Sequence, residues 1–387
     1  MRLAALVTHP VQYFAPVFRE LSKKEDLELK VFFGCDHGAK FGEDPGFKTE
    51  FAWDCQPTEG FEHEFVTQGS LEQLRGASGV LSAFKAAIAI QHYHPNYVLI
   101  FSYSPAFITV STIILHLLHY SLLLRAETTD EAVDRSVLKD KIREVLLKQY
   151  YRQFQHFFPI GQNSIRHYQR IGISHDHLTA IKYAIDVDFF KQQVDKWSPQ
   201  RNVLRDKMTI PADAHVFLYC GKMYCPKNPL LIPSAFSLLS LEEKKNVWLL
   251  AVGDGDSRNE FEACMKKQLG ERAIFTGFQN QSELGQYYAM ADTLLFPSQS
   301  GETWGLVVNE ALQFGLRVIV SDKVGCAHDL VTDSNIGFIF PSNDASAFAN
   351  TIVQAIVPQN QPKPLGVDAL PHPKHLADAV LSYLKSQ

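Results

Sequence analysis

Two glutamates frame the run Glu302-Thr303-Trp304-Gly305-Leu306-Val307-Val308-Asn309-Glu310, one at each end. An apolar strand over 293–296 ends at Pro297, a small polar loop follows, and the pattern predicts a helix from Thr303 or Trp304. The first amides of a helix lack internal partners and sit at the positive end of its dipole. Main-chain groups at Trp304, Gly305 and Leu306 can therefore hold a phosphate, Gly305 allowing close approach. Glu310 falls about two turns inside, roughly 9 Å along the axis at 1.5 Å per residue. One carboxylate can face a group beyond a bound phosphate while the other accepts from a group behind it. A ribose diol suits Glu310, because a carboxylate accepts two hydroxyl protons at once.

A second cluster, Tyr219-Cys220-Gly221-Lys222-Met223-Tyr224-Cys225-Pro226-Lys227-Asn228, follows an apolar strand earlier in the same half. Lysines on either side of such a loop, Lys222 and Lys227, can both turn into a cleft and neutralise a diphosphate. Solvated loop lysines and a solvated Glu310 on an ordinary amphipathic helix are the plain alternatives.

Taken together, these residues closely resemble the retaining glycosyltransferases of family 4, whose signature is Glu, seven residues, Glu. Gly315-Leu316-Arg317-Val318-Ile319-Val320-Ser321 is similar to the strand and loop that follow it. The resemblance implies two Rossmann-like domains, with Glu302 on hydroxyls of the donor sugar and Glu310 on the nucleotide ribose. It also implies backbone from Thr303 to Leu306 on the diphosphate, and Lys222 and Lys227 on the leaving group. Val252-Gly253-Asp254-Gly255-Asp256 and Thr276-Gly277-Phe278-Gln279 look like that family's turns, placing Gly221 and Gly253 near the donor and Phe278 near its base. Asp254-Gly255-Asp256 offers a superficial metal pair. It is read instead as a turn with Asp256 capping the next helix, because the resembling family requires neither a metal nor another cofactor. Arg258 stands where a dinucleotide fingerprint needs its last glycine, which argues against a dehydrogenase.

The first half is less explicit. After the opening strand comes Thr8-His9-Pro10-Val11-Gln12-Tyr13, where many family members carry a glycine-rich loop. His9, Gln12 and Tyr13 follow the carboxyl end of a strand, where α/β folds place ligands, although a turn or core role for His9 is equally open. Arg125 and Glu127 are candidates for sugar or acceptor contact, with an internal ion pair as the alternative. Asn163 is read first as a helix N-cap and second as a ligand contact.

Positioning these residues needs strands followed by helices, and the chain supplies that order twice. Short apolar runs at 3–7, 29–33, 63–66, 97–101, 122–125 and 156–160, then 216–220, 247–252, 273–276, 293–296 and 318–320, alternate with helix-period segments. This order predicts an α/β fold of two doubly wound, Rossmann-like parallel-sheet domains with a cleft between them, which the family resemblance implies to be of the GT-B type. An acceptor-binding domain is expected over 1–185 and a nucleotide-sugar domain over 186–365. A polar linker falls within 184–205, and 366–387 forms a helix that packs back on the first domain. A proline-rich loop over 358–373 precedes that helix.

The balance of the chain limits what it can bind. With 387 residues, 46% hydrophobic content and a formal charge of −5, a globally basic nucleic-acid surface is excluded. The six cysteines, Cys35, Cys55, Cys220, Cys225, Cys264 and Cys326, form no C-x-x-C pair, so no zinc site or disulfide framework is indicated and a reducing, cytoplasmic setting fits. The uncharged run 107–124 reads as a buried helix and a strand rather than a membrane span. Residues 136–152 read as a core-packed helix with a solvated basic side, a membrane-surface helix at the inner face being the alternative. The partners expected from the resemblance are a UDP- or GDP-linked sugar and a glycan, lipid-linked or small-molecule acceptor. A nucleotide-sugar epimerase, a glycan phosphorylase or a catalytically silent binding protein would use the same cleft.

Overall fold

In the computed structural model, which describes residues 1–39, 42–44, 49–51, 57–130, 136–357 and 370–387, fourteen strands form two large sheets and one hairpin. The first half contributes β1 (Arg2–Val7), β2 (Glu28–Phe33), the hairpin β3 (Gly42–Asp44) and β4 (Thr49–Phe51), β5 (Glu62–Phe65), β6 (Tyr97–Ile100), β7 (Ser121–Ala126) and β8 (His156–Pro159). The second contributes β9 (His215–Cys220), β10 (Val247–Val252), β11 (Ala273–Gly277), β12 (Thr293–Phe296), β13 (Arg317–Ser321) and β14 (Gly337–Phe340). The sheets run β5-β2-β1-β6-β7-β8 and β11-β10-β9-β12-β13-β14, every pairing parallel. Each follows the doubly wound order, with its topological switch beside its first strand. Helices on both faces explain why runs such as Leu3-Ala4-Ala5-Leu6-Val7 and Val247-Trp248-Leu249-Leu250-Ala251-Val252 are buried throughout instead of alternating.

Three expectations need correction. The second sheet has a sixth strand, β14, at its edge. The stretch expected as a polar linker is helical, Val187–Trp197 and then Arg201–Lys207, with Asp186 accepting from the Phe189 amide at the first N-terminus. Polar Arg205 is buried there because it donates to the Met290, Ala212 and Ala214 carbonyls and to Asp292. In the helix Val137–Tyr151, core packing is confined to Leu147, Tyr150 and Tyr151, while Leu138, Ile142, Val145 and Leu146 are exposed.

The run 107–124 is the helix Ala106–Leu117 followed by β7, and no helix among the described residues is long and apolar enough to cross a membrane. The last helix, Pro373–Ser386, buries Leu376, Ala377, Val380 and Leu384, pairs Asp378 with Lys24, and stacks Tyr383 on His156. Cys55, most of the proline-rich stretch and residues 131–135 lie outside the described residues.

Candidate active site between the two sheets

The loop after β9 and the loop after β12 leave neighbouring strands at the second sheet's switch point, and both turn toward the first half. Gly221 (φ +149°) opens the first loop, and its amide donates to the Val252 carbonyl at 3.0 Å. Gly253 (φ +128°) passes so close that a Cβ on it would lie 2.0 Å from the Gly221 carbonyl oxygen, and its own amide donates to Gly277 at 2.9 Å. Glycine is required here for contact as well as conformation. The stacked turns hold the Cys225–Lys227 segment over the cleft, where Lys227 pairs with the Glu302 carboxylate. The Lys227 ammonium also lies 5.2 Å from the Phe296 ring, and Ser298 Oγ is 3.5 Å from Glu302. These two groups are 75 positions apart in sequence, and both side chains are mostly buried where they meet. Lys222 is half-buried on the same loop, its carbonyl accepting from Tyr219 Oη at 2.8 Å.

The helix behind Glu302 starts later than the sequence pattern predicts. It spans Leu306–Gln313, with Gly305 (φ +100°) as its N-cap. Leu306, Val307 and Val308 thus supply the first helical amides, and Trp304 lies ahead of the helix. A left-handed cap ends the loop abruptly, and a Cβ on Gly305 would sit 2.9 Å from Val324 and 3.0 Å from Phe296. Trp304 turns inward instead: it is buried, donates through Nε1 to Asn309 at 2.8 Å, and its ring would meet any Cβ on Gly161 at 2.5 Å. Its side chain therefore helps join the halves.

Glu310 is buried under three donors. Tyr288 Oη lies at 2.6 Å, Tyr13 Oη at 3.0 Å and Gln281 Nε2 at 3.3 Å. Burial raises its pKa, and the hydrogen bonds from Tyr288, Gln281 and Tyr13 offset part of that rise. Two tyrosine hydroxyls thus occupy the acceptor oxygens that a diol would use. One of them belongs to the first half, where Gln12 Nε2 also reaches Gln281 at 3.3 Å. Gln12, Tyr13, Gly221, Gly253, Phe278 and Glu310 line one cavity of about 150 Å³, together with Cys220, Gln281, Leu284 and Val307. Gln281 and Tyr288 were not legible as site residues: nothing in the helix Gln281–Met290 distinguishes them from other polar or aromatic positions.

A larger cavity of about 530 Å³ opens under the first sheet and is lined by His9, Arg125, Glu127 and Thr303 among others. Arg125 and Glu127 do form an internal ion pair, at 2.7 Å, and both still border this space. The Arg125 guanidinium is held 4.8 Å from the Phe14 ring and 4.3 Å from the Tyr183 ring, leaving Nε without a partner. Thr303 Oγ1 donates to Glu127 at 3.1 Å, so the Glu302 loop touches this cavity, while the helix behind it lines the smaller one through Val307 and Glu310. His9 accepts from or donates to Thr8 Oγ1 at 2.9 Å, and burial beside His37 lowers its pKa to about 4, so it is neutral at pH 7. Asn163 is not the N-cap. Ile160 is the N-cap, while Asn163 sits inside the helix Gly161–Ile171, bonded to Arg166 and lining neither cavity. Asp256 is likewise no cap: Ser257 holds that position, and Asp254 is taken by Arg258 Nη1 at 2.6 Å and the Gly255 amide at 2.8 Å. Among the described residues no cluster of His, Cys, Asp and Glu has the makeup of a metal site.

Two doubly wound sheets with a cleft across their carboxyl ends define an α/β protein of the GT-B type. Residues 200–366 match the sequence model of the family Glycosyl transferases group 1, and the family-4 resemblance of the Glu302–Glu310 run stands with that match. The chain is 30% identical over 171 residues to a lipopolysaccharide 1,2-N-acetylglucosaminetransferase of Salmonella typhimurium, covering 42% of this chain and 44% of the relative. It is 27% identical over 183 residues to a D-inositol 3-phosphate glycosyltransferase of Xylanimonas cellulosilytica, covering 47% and 43%. The aligned part thus spans less than half the length of either relative. The structure of Anabaena Alr3699/HepE in complex with UDP and glucose superposes with a TM-score of 0.70 over 100% of both chains at 16% identity, a likeness of fold.

Proposed function

We propose that this protein is a retaining glycosyltransferase that moves a hexosyl group from a UDP- or GDP-linked sugar to an acceptor hydroxyl in glycan or glycoconjugate biosynthesis. The observation that carries the reading is the meeting of Lys227 and Glu302, 75 positions apart in sequence, on the loops that follow the paired strands β9 and β12. In this reading the nucleotide enters the smaller cavity between Gly253, Phe278 and Glu310, and its ribose hydroxyls replace that of Tyr13 on Glu310. The diphosphate lies against the amides at the start of the helix Leu306–Gln313, where the helix dipole favours negative charge. Lys222 and Lys227 neutralise it, and Glu302, released from Lys227, accepts hydroxyls of the sugar.

Transfer breaks the bond between the anomeric carbon and the β-phosphate oxygen and makes a bond from the acceptor oxygen to the same carbon on the same face. The acceptor proton passes to the departing phosphate. No protein nucleophile takes part. The developing diphosphate charge is stabilised by fixed cations and amides in a site where little water remains. The acceptor occupies the larger cavity, with its reacting hydroxyl near Thr303 and Glu127. No cofactor or metal is required for this chemistry as proposed.

Product analysis tests this directly. Incubation with a panel of UDP- and GDP-sugars in a chelating buffer, with and without acceptor mixtures, should yield a glycosylated product from one donor with the α or β configuration preserved. Isomerised donor without acceptor would instead identify an epimerase, and a sugar phosphate formed with added phosphate a phosphorylase. Tight nucleotide binding by calorimetry with no product from any donor would indicate a silent binding protein.

A further inference from the structure

Most of the large apolar side chains that the described residues leave exposed lie on three helices, Gly76–Tyr93, Ala106–Leu117 and Val137–Tyr151, or at their ends; Met1, Val203, Leu238, Leu241 and Val357 lie elsewhere. All three helices cover the same face of the first sheet. Their inner residues, such as Ala86, Ile90, Leu115 and Tyr150, join one core with Leu6, Ile100 and Leu124 of the strands. Thr112 and Tyr150 hydrogen-bond at 2.8 Å across the second and third helices. Their outer faces therefore look the same way.

Those outer faces are apolar in register. Leu81, Phe84 and Ile88 are 53 to 60% exposed along the first helix, and Ile113 and Leu117 stand one turn apart on the second. On the third, Leu138, Ile142, Val145 and Leu146 are 54 to 69% exposed. At 3.6 residues per turn these four fill an arc of about 100°, opposite the arc that buries Leu147 and Tyr151. A helix that is apolar on two opposed arcs has one more apolar face than its own domain covers.

The charges around this surface select its partner. The first two helices contain no Asp or Glu at all. On the third, Asp140 and Glu144 are both engaged by Arg170 of the next helix, Glu144 at 2.6 Å. Exposed Lys139 flanks one side of the outward apolar arc, and exposed Lys141 and Lys148 flank the other; Lys85 borders the stripe on the first helix. The surface is cationic on a chain whose overall charge is −5. A second copy of the same face would set lysine against lysine. A bilayer bearing anionic headgroups accepts both the apolar arc and its lysine borders.

We propose that this three-helix face docks on the surface of an anionic lipid bilayer, lying in the interface without crossing it. Arg75 and Pro105, which immediately precede the first two helices, line the larger cavity, so the docking face borders the opening of that cavity. The proposal is independent of the transfer reading, because binding to lipid is measured without donor or acceptor. Co-sedimentation with vesicles of phosphatidylglycerol and phosphatidylcholine should retain the intact chain at least tenfold more strongly than vesicles of phosphatidylcholine alone, and added salt should weaken retention. Ile142→Glu with Val145→Glu should abolish it, whereas Leu238→Glu with Leu241→Glu, exposed in the other half, should not. Thermal melting checks that each variant folds, and Lys139→Glu with Lys141→Glu, which reverses the charge border while leaving the apolar arc intact, should weaken retention on the anionic vesicles. The proposal is overturned by equal retention on both vesicles, by retention that survives the Ile142 and Val145 changes, or by a vesicle-free dimer that those changes dissociate.

Discussion

The two halves share one strand order, yet they furnish the cleft by different means. In the second half the site is built from main chain: Gly221, Gly253 and Gly277 take positive φ and stack carbonyl on amide, and the charged groups ride on that frame. In the first half the loop after β1 has no glycine between Thr8 and Phe14, and side chains do the reaching, with Tyr13 and Gln12 crossing to Glu310 and Gln281. A frame of backbone contacts tolerates almost no change in shape, since the atoms involved cannot rotate away. A side chain that crosses a gap can be replaced or displaced with little damage to its own domain. The two halves should therefore respond to substitution in opposite ways, the second through chemistry and folding, the first through the ease of occupying the cleft.

The sharpest test is at the ion pair. Glu302→Gln and Lys227→Ala should each lower kcat/KM for transfer by about 10²–10³-fold, the usual loss when one preorganised charge-stabilising group is removed. Both side chains are mostly buried, so removing either partner should also lower the melting temperature, and transfer is measured at a temperature where each variant is folded. Full transfer activity in both variants would break the contrast at its strongest point, since it would leave the second half without chemistry.

Next in size is the frame itself. Gly253→Ala introduces a Cβ that cannot avoid the Gly221 carbonyl, at a φ of +128° that alanine rarely adopts. Strain and overpacking of this kind cost about 2–3 kcal/mol together. Chemical denaturation should show that loss at unchanged m-value, and nucleotide affinity should drop with it. A fully stable variant would mean that the turns are held by something other than their mutual contact.

What the sequence displayed follows the same division. Strands buried on both faces announce themselves as continuous apolar runs, and all of the first six in each sheet were legible except β14. That strand has four residues and lies at the sheet edge, with Gly337 packed under the Val318 carbonyl. The lysines and glutamates of the second half were legible because each follows a strand by a fixed short loop. The start of the helix Leu306–Gln313 was misplaced because a left-handed glycine cap leaves no more trace in composition than any other glycine. The helical stretch after Asp186 was misread as a polar linker because Arg205 acts as a core residue only through the carbonyls and carboxylate around it. Asn163 was misassigned by one helical turn. The partners of Glu310 were beyond reach for a different reason: Tyr13 lies 297 positions away, and no local pattern records which side chain will meet it across a gap. The exposed arc of the helix Val137–Tyr151 belongs with these cases. Its apolar residues repeat at helical spacing whichever way they face, and only the packing of Leu147 and Tyr151 reveals that the other arc is left over.

The smallest expected effect isolates the crossing side chain. Tyr13 donates to Glu310 at 3.0 Å, and in the proposed donor complex a ribose hydroxyl takes that place. The Tyr13 hydrogen bond is one made to a charged group and is worth on the order of 1.5–3 kcal/mol gross of what replaces it. Water or the remaining donors Tyr288 and Gln281 recover part of it, so Tyr13→Phe should tighten nucleotide binding by only about fivefold, or about 1 kcal/mol. Because Tyr13 touches nothing that reacts, kcat should stay within about twofold, and the gain should appear in Kd and KM. Tyr288→Phe provides the contrast: its hydroxyl is 2.6 Å from the same carboxylate but comes from the second half, inside the frame. Removing it leaves a buried carboxylate short of a donor with no ligand positioned to substitute, so stability should fall while affinity does not rise. Calorimetric titration of both variants with UDP and GDP measures the difference. Equal responses would show that Glu310 does not distinguish a partner across the cleft from one beneath it, and the division between the two halves would end at the ion pair.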